Sequence, residues 1–267
     1  MSENIKKFPV IPLRGLAILP GTTVHFDVSR KSSIAAAEEA MLNSRELFVV
    51  AQKDPVEETP GFDGVYKVGT IVVVKQLNKM QGNIVRVMVE AVGKARLSSL
   101  YEENEYLEGE TEIIFDEENT LSDTQEEAFV RELKDAVKIF HATINELSES
   151  SFKGLMAIDG LEKMMIQILL RIKVDYKTKQ EYLEVTDILD KFSVVLAYLT
   201  KESEIGEIRA DIINKVKERL DKSQKEHILR EQMQVIREEL GDDFFAEADE
   251  FENQIRELNA DEEVKEK

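Results

Sequence analysis

Asn119 to Leu147 reads NTLSDTQEEAFVRELKDAVKIFHATINEL, and within it the period of the sequence changes. Ser122 followed by Gln125 is a capping-box pattern, in which two side chains satisfy free N–H groups at the start of a helix. Phe129, Leu133, Val137, Phe140, Ile144 and Leu147 then recur at three- and four-residue steps, the spacing of one helix face.

Upstream, from Phe8 to about Phe115, short β-branched runs are punctuated by glycine and proline. Val24, Phe26 and Val28 alternate with His25 and Asp27, which predicts a strand with one buried and one wet face. LFVVA (Leu47 to Ala51) and TIVVV (Thr70 to Val74) are continuous apolar runs, expected to be covered on both faces. Ser33 to Asn43 reads as a short helix with Ile34, Ala37, Met41 and Leu42 on one narrow side. MQGN (Met80 to Asn83) reads as a turn between two strands, with Gly82 free to take positive φ. The segment predicts a closed or nearly closed β-domain with one helix.

Downstream, helix dominates. Leu161 to Ile172 and Thr178 to Phe192 are read as amphipathic helices, set off by breakers around Ser150, Gly154, Gly160 and Asp175. A long helix is predicted from about Glu202 to Leu240, about 55 to 60 Å at 1.5 Å per residue. Its first half carries a seam of Ile205, Ile212, Val216 and Leu220, which five polar residues from Lys222 to Glu226 interrupt. In its second half Ile228, Leu229, Met233, Val235, Ile236 and Leu240 spread around the cylinder, so that half is expected to project and bridge between bodies. Beyond Gly241 the text is strongly acidic. The fold class read from the sequence is therefore α+β: an N-terminal β-barrel-like domain with one short helix, a helical bundle and a long projecting helix. The expected divisions are 1–118, 119–204, 205–241 for the connecting helix, and 242–267 for an acidic, partly disordered tail.

Composition narrows the function. The 267 residues carry a formal net charge of −19, which argues against a nucleic-acid backbone or an anionic membrane as partner. Zero cysteines exclude disulfides and thiolate zinc sites. The N-terminus has no apolar run of signal-peptide length before Pro9 and Pro12, and no later run reaches membrane-spanning length, so a cytoplasmic location is expected.

Catalytic patterns are missing from the text. GVYKVGT (Gly64 to Thr70) has the glycine spacing of a phosphate loop, but Thr70 stands where the lysine is required, and a turn entering a strand is the better reading. His25, His141 and His227 lie far apart with no carboxylate at ligand spacing, and the serines show no nucleophile motif. The 54 carboxylates are too dispersed to single out an acid–base pair. No catalytic residue, metal ligand or cofactor site is assigned.

Apolar surface remains. In IVRVMVE (Ile84 to Glu90), Val85, Val87 and Val89 share one face while Met88 shares the other with Arg86 and Glu90. A methionine on a charged face suits adaptable contact with varied partners, the alternative being that another element covers Met88. His25 lies on the wet face of its strand, and Leu13 follows two prolines where full burial is not expected. Phe244 and Phe245 stand in an acidic setting and read either as a docking point for a missing segment or as a local helix contact.

Several of these stretches resemble one family. PVIPLRGLAILPGTTVHFDVSRKSSIAAAEEAM (Pro9 to Met41), VAQKD (Val50 to Asp54), YKVGTIVVVKQL (Tyr66 to Leu77) and VRVMVEAVGKARL (Val85 to Leu97) closely resemble the N-terminal domain of the Lon family of ATP-dependent proteases. KQEYLEVTDILDKF (Lys179 to Phe192) and VKERLDKSQKEHILREQMQVIREELG (Val216 to Gly241) resemble its helical bundle and connecting helix. The family's AAA+ module and serine–lysine protease module are not in this sequence.

The resemblance implies a cytoplasmic homohexameric serine protease that unfolds damaged or regulatory proteins with ATP and magnesium, those cofactors belonging to the missing part. This portion would recognise unfolded or damaged substrates and help assemble the ring. By region, Leu13, His25 and Met88 would contact substrate, and Met233, Val235, Ile236 and Leu240 would couple to the ATPase. The alternatives are a free-standing Lon-like adaptor, an RNA-binding β-barrel and a coiled-coil dimer. The unpartnered helix, the net charge and the broken seam weigh against them in turn.

Overall fold

LFVVA and TIVVV lie side by side in the middle of a sheet, and their burial on both faces follows from what surrounds them. A computed structural model describes residues 5–103, 105–144, 146–240, 251 and 254, except the side chains of residues 237 and 240. The acidic stretch beyond Gly241 in which Phe244 and Phe245 stand lies outside the described residues, apart from 251 and 254.

In chain order the elements are β1 (Ile5–Leu13), β2 (Thr23–Val28), α1 (Lys31–Leu42), β3 (Glu46–Ala51), β4 (Val68–Lys79), β5 (Val85–Glu103) and β6 (Tyr106–Ile114). The sheet order is β2-β5-β4-β3-β1-β6, and a further β5–β6 pairing joins the last strand back to the second. The 19-residue β5 makes this closure possible. Its first part pairs with β2 from Val85 to Glu90, and its second part pairs with β6 from Lys94 to Glu103, while β4 runs along its other edge. Five strands thus form a near-ring, and β2 is added beside the half of β5 that β6 does not reach.

Apolar residues fill both sides of the curved sheet. On one side Leu47, Val49, Val72, Val74, Val87 and Val89 pack with the small face of α1 at Ala36, Ala37 and Ala40. On the other, Phe8, Val10, Phe48, Val50, Ile71 and Leu97 form a second cluster. The Met80–Asn83 turn forms as expected, with Gly82 at φ 78° and Asn83 at φ 60°. Gly64 ends a short 3-10 turn ahead of β4, and the Thr70 hydroxyl donates to the Ile18 carbonyl at 2.5 Å, so the near-miss phosphate loop is a turn entering a strand.

The helices follow: α2 (Asp123–Ile144), α3 (Glu149–Met156), α4 (Leu161–Arg171), α5 (Tyr176–Glu184) and α6 (Ile188–Leu240). The capping box forms as read: the Ser122 amide donates to Gln125 Oε1 at 3.0 Å and the Gln125 amide to Ser122 Oγ at 3.4 Å. Leu133, Val137 and Phe140 of α2 join Leu155, Leu161, Met164, Met165, Ile168 and Leu169 in one core.

Three expectations about where helices begin and end need correction. The helix read over Thr178–Phe192 is two helices, because Asp187 Oδ1 accepts from the Leu189 and Asp190 amides at 2.8 and 3.0 Å and starts a new one. The long helix therefore begins at Ile188, not near Glu202. A short helix, α3, also occupies the stretch read as breakers, with Ser148 accepting from the Ser151 amide as its N-cap.

Two polar contacts tie the near-ring to the helices. Asp116 accepts from Lys94 Nζ of β5 at 2.5 Å and from Lys191 Nζ of α6 at 2.6 Å, and Lys94 also donates to the Leu183 and Val185 carbonyls. Gln180 of α5, fully enclosed, donates to the Val68 carbonyl at 2.8 Å. The chain divides into two compact units between Glu204 and Ile205, and these contacts all lie within the first.

Candidate functional site: an outer sheet face and an adjoining groove

Three strands build the candidate surface. The register aligns His25 of β2 with Met88 of β5, and Met88 with Gln76 of β4, so the three side chains share the outer face of the sheet. All three are exposed, and Met88 keeps 40% of its surface accessible. The alternation in β5 causes this directly: Val85, Val87 and Val89 turn inward and are buried, which sends Arg86, Met88 and Glu90 outward.

Ion pairs flank the methionine on both sides along the strands. Arg86 grips Asp27 with two hydrogen bonds of 2.7 and 2.8 Å, and Lys75 pairs with Glu90 at 2.5 Å. The hydrogen bond from Arg86 holds the Asp27 carboxyl below its ordinary range. These pairs satisfy the charged groups locally and leave the apolar thioether between them as the adaptable part of the face. Met80 and Val92 are further exposed apolar residues at the turn before β5 and further along it.

Leu13 lies elsewhere. It was expected near the surface because two prolines precede it, yet it is 5% exposed and packs with Phe26 and Val28 in the core. The register explains both observations. Pro9 is opposite Glu108 of β6, and Pro12 is opposite Val50 of β3, in the parts of β1 that have one strand neighbour each. A proline lacking an N–H is tolerated on the vacant side, and Leu13 opposite Ala51 is still covered.

Leu13 does reach a groove, about 130 Å³ in volume, between residues 12–16 and residues 26–33. Leu13, Leu16, Phe26 and Val28 supply its apolar lining, and its charged lining is Arg14, Arg30 and Asp27, the last already gripped by Arg86. The Arg30 guanidinium donates to Gln52 Oε1, and Gln52 in turn donates to the Asp54 and Glu57 carbonyls, which fastens the 52–57 loop beside the groove. Burial, and then the charge of nearby Arg14, push Arg30 below its ordinary value. The two arginines were not singled out by motif. Their signal was compositional: they are cations near turns in a chain of charge −19.

The residues that the resemblance casts in a coupling role lie on α6. Met233, Val235 and Ile236 are exposed, and the side chain of Leu240 lies outside the described residues. Ile205, Ile212, Val216 and Leu220, expected to pack as a seam, are 39 to 59% exposed, because among the described residues nothing covers that face. Among the described residues no group of three or more His, Asp or Glu is placed to hold a metal ion, and no helix is long and apolar enough to cross a membrane.

Comparison with known proteins concerns the chain as a whole. Residues 7–201 match the family model described as "ATP-dependent protease La (LON) substrate-binding domain". The chain is 38% identical to the Lon protease of Lachnoclostridium phytofermentans, with 100% of this chain aligned to 33% of that protein. It is 32% identical to Lon protease 1 of Bacillus subtilis, with 91% of the chain aligned to 31% of that protein. The chain thus spans about a third of the length of these relatives. Among solved structures, the N-terminal domain of a Mycobacterium avium complex Lon protease superimposes with a TM-score of 0.58 at 16% identity, over 73% of this chain and 98% of that one. The Lon N-terminal domain protein of Xanthomonas campestris gives a TM-score of 0.52 at 13% identity, over 72% and 98%. These two likenesses concern the fold.

Proposed function

The chain belongs to the family of Lon substrate-binding domains, and from that membership we propose that it holds unfolded or damaged polypeptides through the outer sheet face around Met88 and His25, with Leu13 in the floor of the adjoining groove. The chain corresponds to the N-terminal substrate-recognition region of a larger protease. The observation that carries the placement is the exposed Met88 between two satisfied ion pairs, opposite His25. Extended polypeptides present side chains of every shape, and an unbranched thioether adjusts to them at small cost.

On the same reading the whole protein is a cytoplasmic, homohexameric ATP-dependent serine protease, with ATP and magnesium bound in modules beyond this sequence. The divisions at 1–118, 119–204, 205–241 and 242–267 are part of the proposal. The break after Glu204 supports the third of them. Exposed Met233, Val235 and Ile236 on α6 support a coupling role toward the ATPase, with Leu240 completing the set.

Substitution tests the placement. Met88→Glu puts a charge on the exposed face without disturbing the inward valines, so thermal unfolding should stay within about 0.5 kcal/mol of the parent chain. Affinity for a reduced, amidomethylated polypeptide, measured by fluorescence anisotropy, should fall several-fold. Unchanged affinity would place the contact elsewhere.

A further inference from the structure

We propose that the groove beside β2 selects substrate segments in which an apolar residue neighbours an acidic one, the apolar side chain entering between Leu13, Leu16, Phe26 and Val28 and the carboxylate meeting Arg14 and Arg30. This rests on the reading that the chain holds polypeptides and adds a sequence preference to it.

Three observations converge on the groove. The first is its charge. Among the described residues neither Arg14 nor Arg30 has a carboxylate within 4.0 Å, whereas Arg86, one strand away, is fully engaged by Asp27. Glu57 and Glu58 act on Arg30 only from beyond ion-pair distance, and the Glu57 carboxylate packs over Gly64. Arg14 makes a single 3.5 Å contact, to the Glu57 carbonyl. Asp27 also lines the groove, but Arg86 neutralises its carboxylate, so in a chain of net charge −19 the two guanidiniums without carboxylate partners leave a local positive site that draws an anionic group.

The second is shape. The lining beneath the arginines is apolar, and about 130 Å³ accommodates one aliphatic side chain. The third is backbone access. β2 pairs with β5 and with no other strand, so the edge of Thr23–Val28 away from β5 has no strand partner among the described residues, and Phe26, Asp27 and Val28 line the groove. An extended segment lying there can pair with that edge while its alternate side chains enter the groove. Arg30 is held by Gln52 and is preorganised for the carboxylate, which reduces the ordering cost of binding.

Dye-labelled peptides in a Gly/Ser frame give the test, with Leu-Glu, Leu-Lys or Ser-Glu at the centre, titrated against the whole 267-residue chain. Leu-Glu should bind about five-fold more tightly than Leu-Lys, the effect of one partly exposed charge pair, and the preference should shrink in high salt. Arg14→Glu, at an exposed side chain, should abolish the preference with the melting temperature unchanged. Arg14→Glu with Arg30→Glu should invert it toward Leu-Lys, and if that double variant does not fold, Arg14→Glu alone decides. Equal binding of Leu-Glu and Leu-Lys, or a preference that survives Arg14→Glu, overturns the proposal. Where an unfolded polypeptide still binds in a Met88-dependent way under those results, the groove selectivity alone is wrong. Where no polypeptide binds the parent chain, the substrate reading falls with it.

Discussion

A methyl group at position 109 has no space. A Cβ on Gly109 would sit 2.6 Å from Leu97 Cδ1 and 2.9 Å from Val10 Cγ2, where β6 crosses between β1 and β5 to close the ring. Gly109→Ala should therefore cost about 1–3 kcal/mol of stability, the usual penalty of overpacking, seen as a lower midpoint in denaturant with an unchanged slope. Some residues could be placed from sequence by alternation alone: Met88 faces outward because three valines two residues apart face inward. Leu13 could not, since its burial depends on which strands flank each half of β1, and that is a fact of tertiary register. Alternation along β2 predicts an exposed His25, but its alignment opposite Met88 follows only from the β2–β5 pairing.

Among the elements, α6 separates local propensity from packing. Val195 and Leu199 near its start are in the bundle core, whereas its apolar residues from Ile205 to Ile236 are exposed. Helices without tertiary burial are marginal even when their residues favour helix. Amides of residues 205–236 should therefore exchange with deuterium much faster than those of residues 192–204 at low protein concentration. Equal protection along the helix, independent of concentration, would contradict this. The long helix is legible in its run of helix formers, whereas its start is not. No glycine or proline marks the break at Val185–Asp187, and only Asp187 as a cap signals it. The short α3 was masked by Gly154, which serves the bundle because the Arg171 guanidinium lies across it and donates to the Ser151 carbonyl at 3.2 Å.

At the scale of the whole first unit, the joint between near-ring and bundle depends on a charge cluster that no local pattern discloses. Lys94, Asp116 and Lys191 are far apart in sequence, yet the two lysines are 4 and 5% exposed and share one carboxylate. Burial by itself raises the Asp116 carboxyl, but the hydrogen bonds from Lys191 and Lys94 outweigh it and leave it below its ordinary 3.8. A carboxyl with a depressed folded value contributes stability above its unfolded value, and that contribution is lost as pH falls through the folded value. The chain should accordingly lose stability from about pH 4 downward. Asp116→Asn should flatten that acid limb and, by leaving two buried lysines uncompensated, cost about 2–3 kcal/mol at neutral pH. Denaturant midpoints of both proteins across this range check it.

The claim that polypeptides are held on the outer sheet face has internal reporters, because the chain's methionines sample several of its environments. Met88 and Met80 are exposed on or beside the face, Met164 and Met165 are buried in the bundle, and Met233 is exposed on α6. In a sample labelled at the methionine methyl carbons, titration with a reduced, amidomethylated polypeptide should shift or broaden the Met88 signal first, with Met80 following and Met164 and Met165 unmoved. A Met88 signal that stays in place while Met233 or the bundle methionines respond would contradict the account.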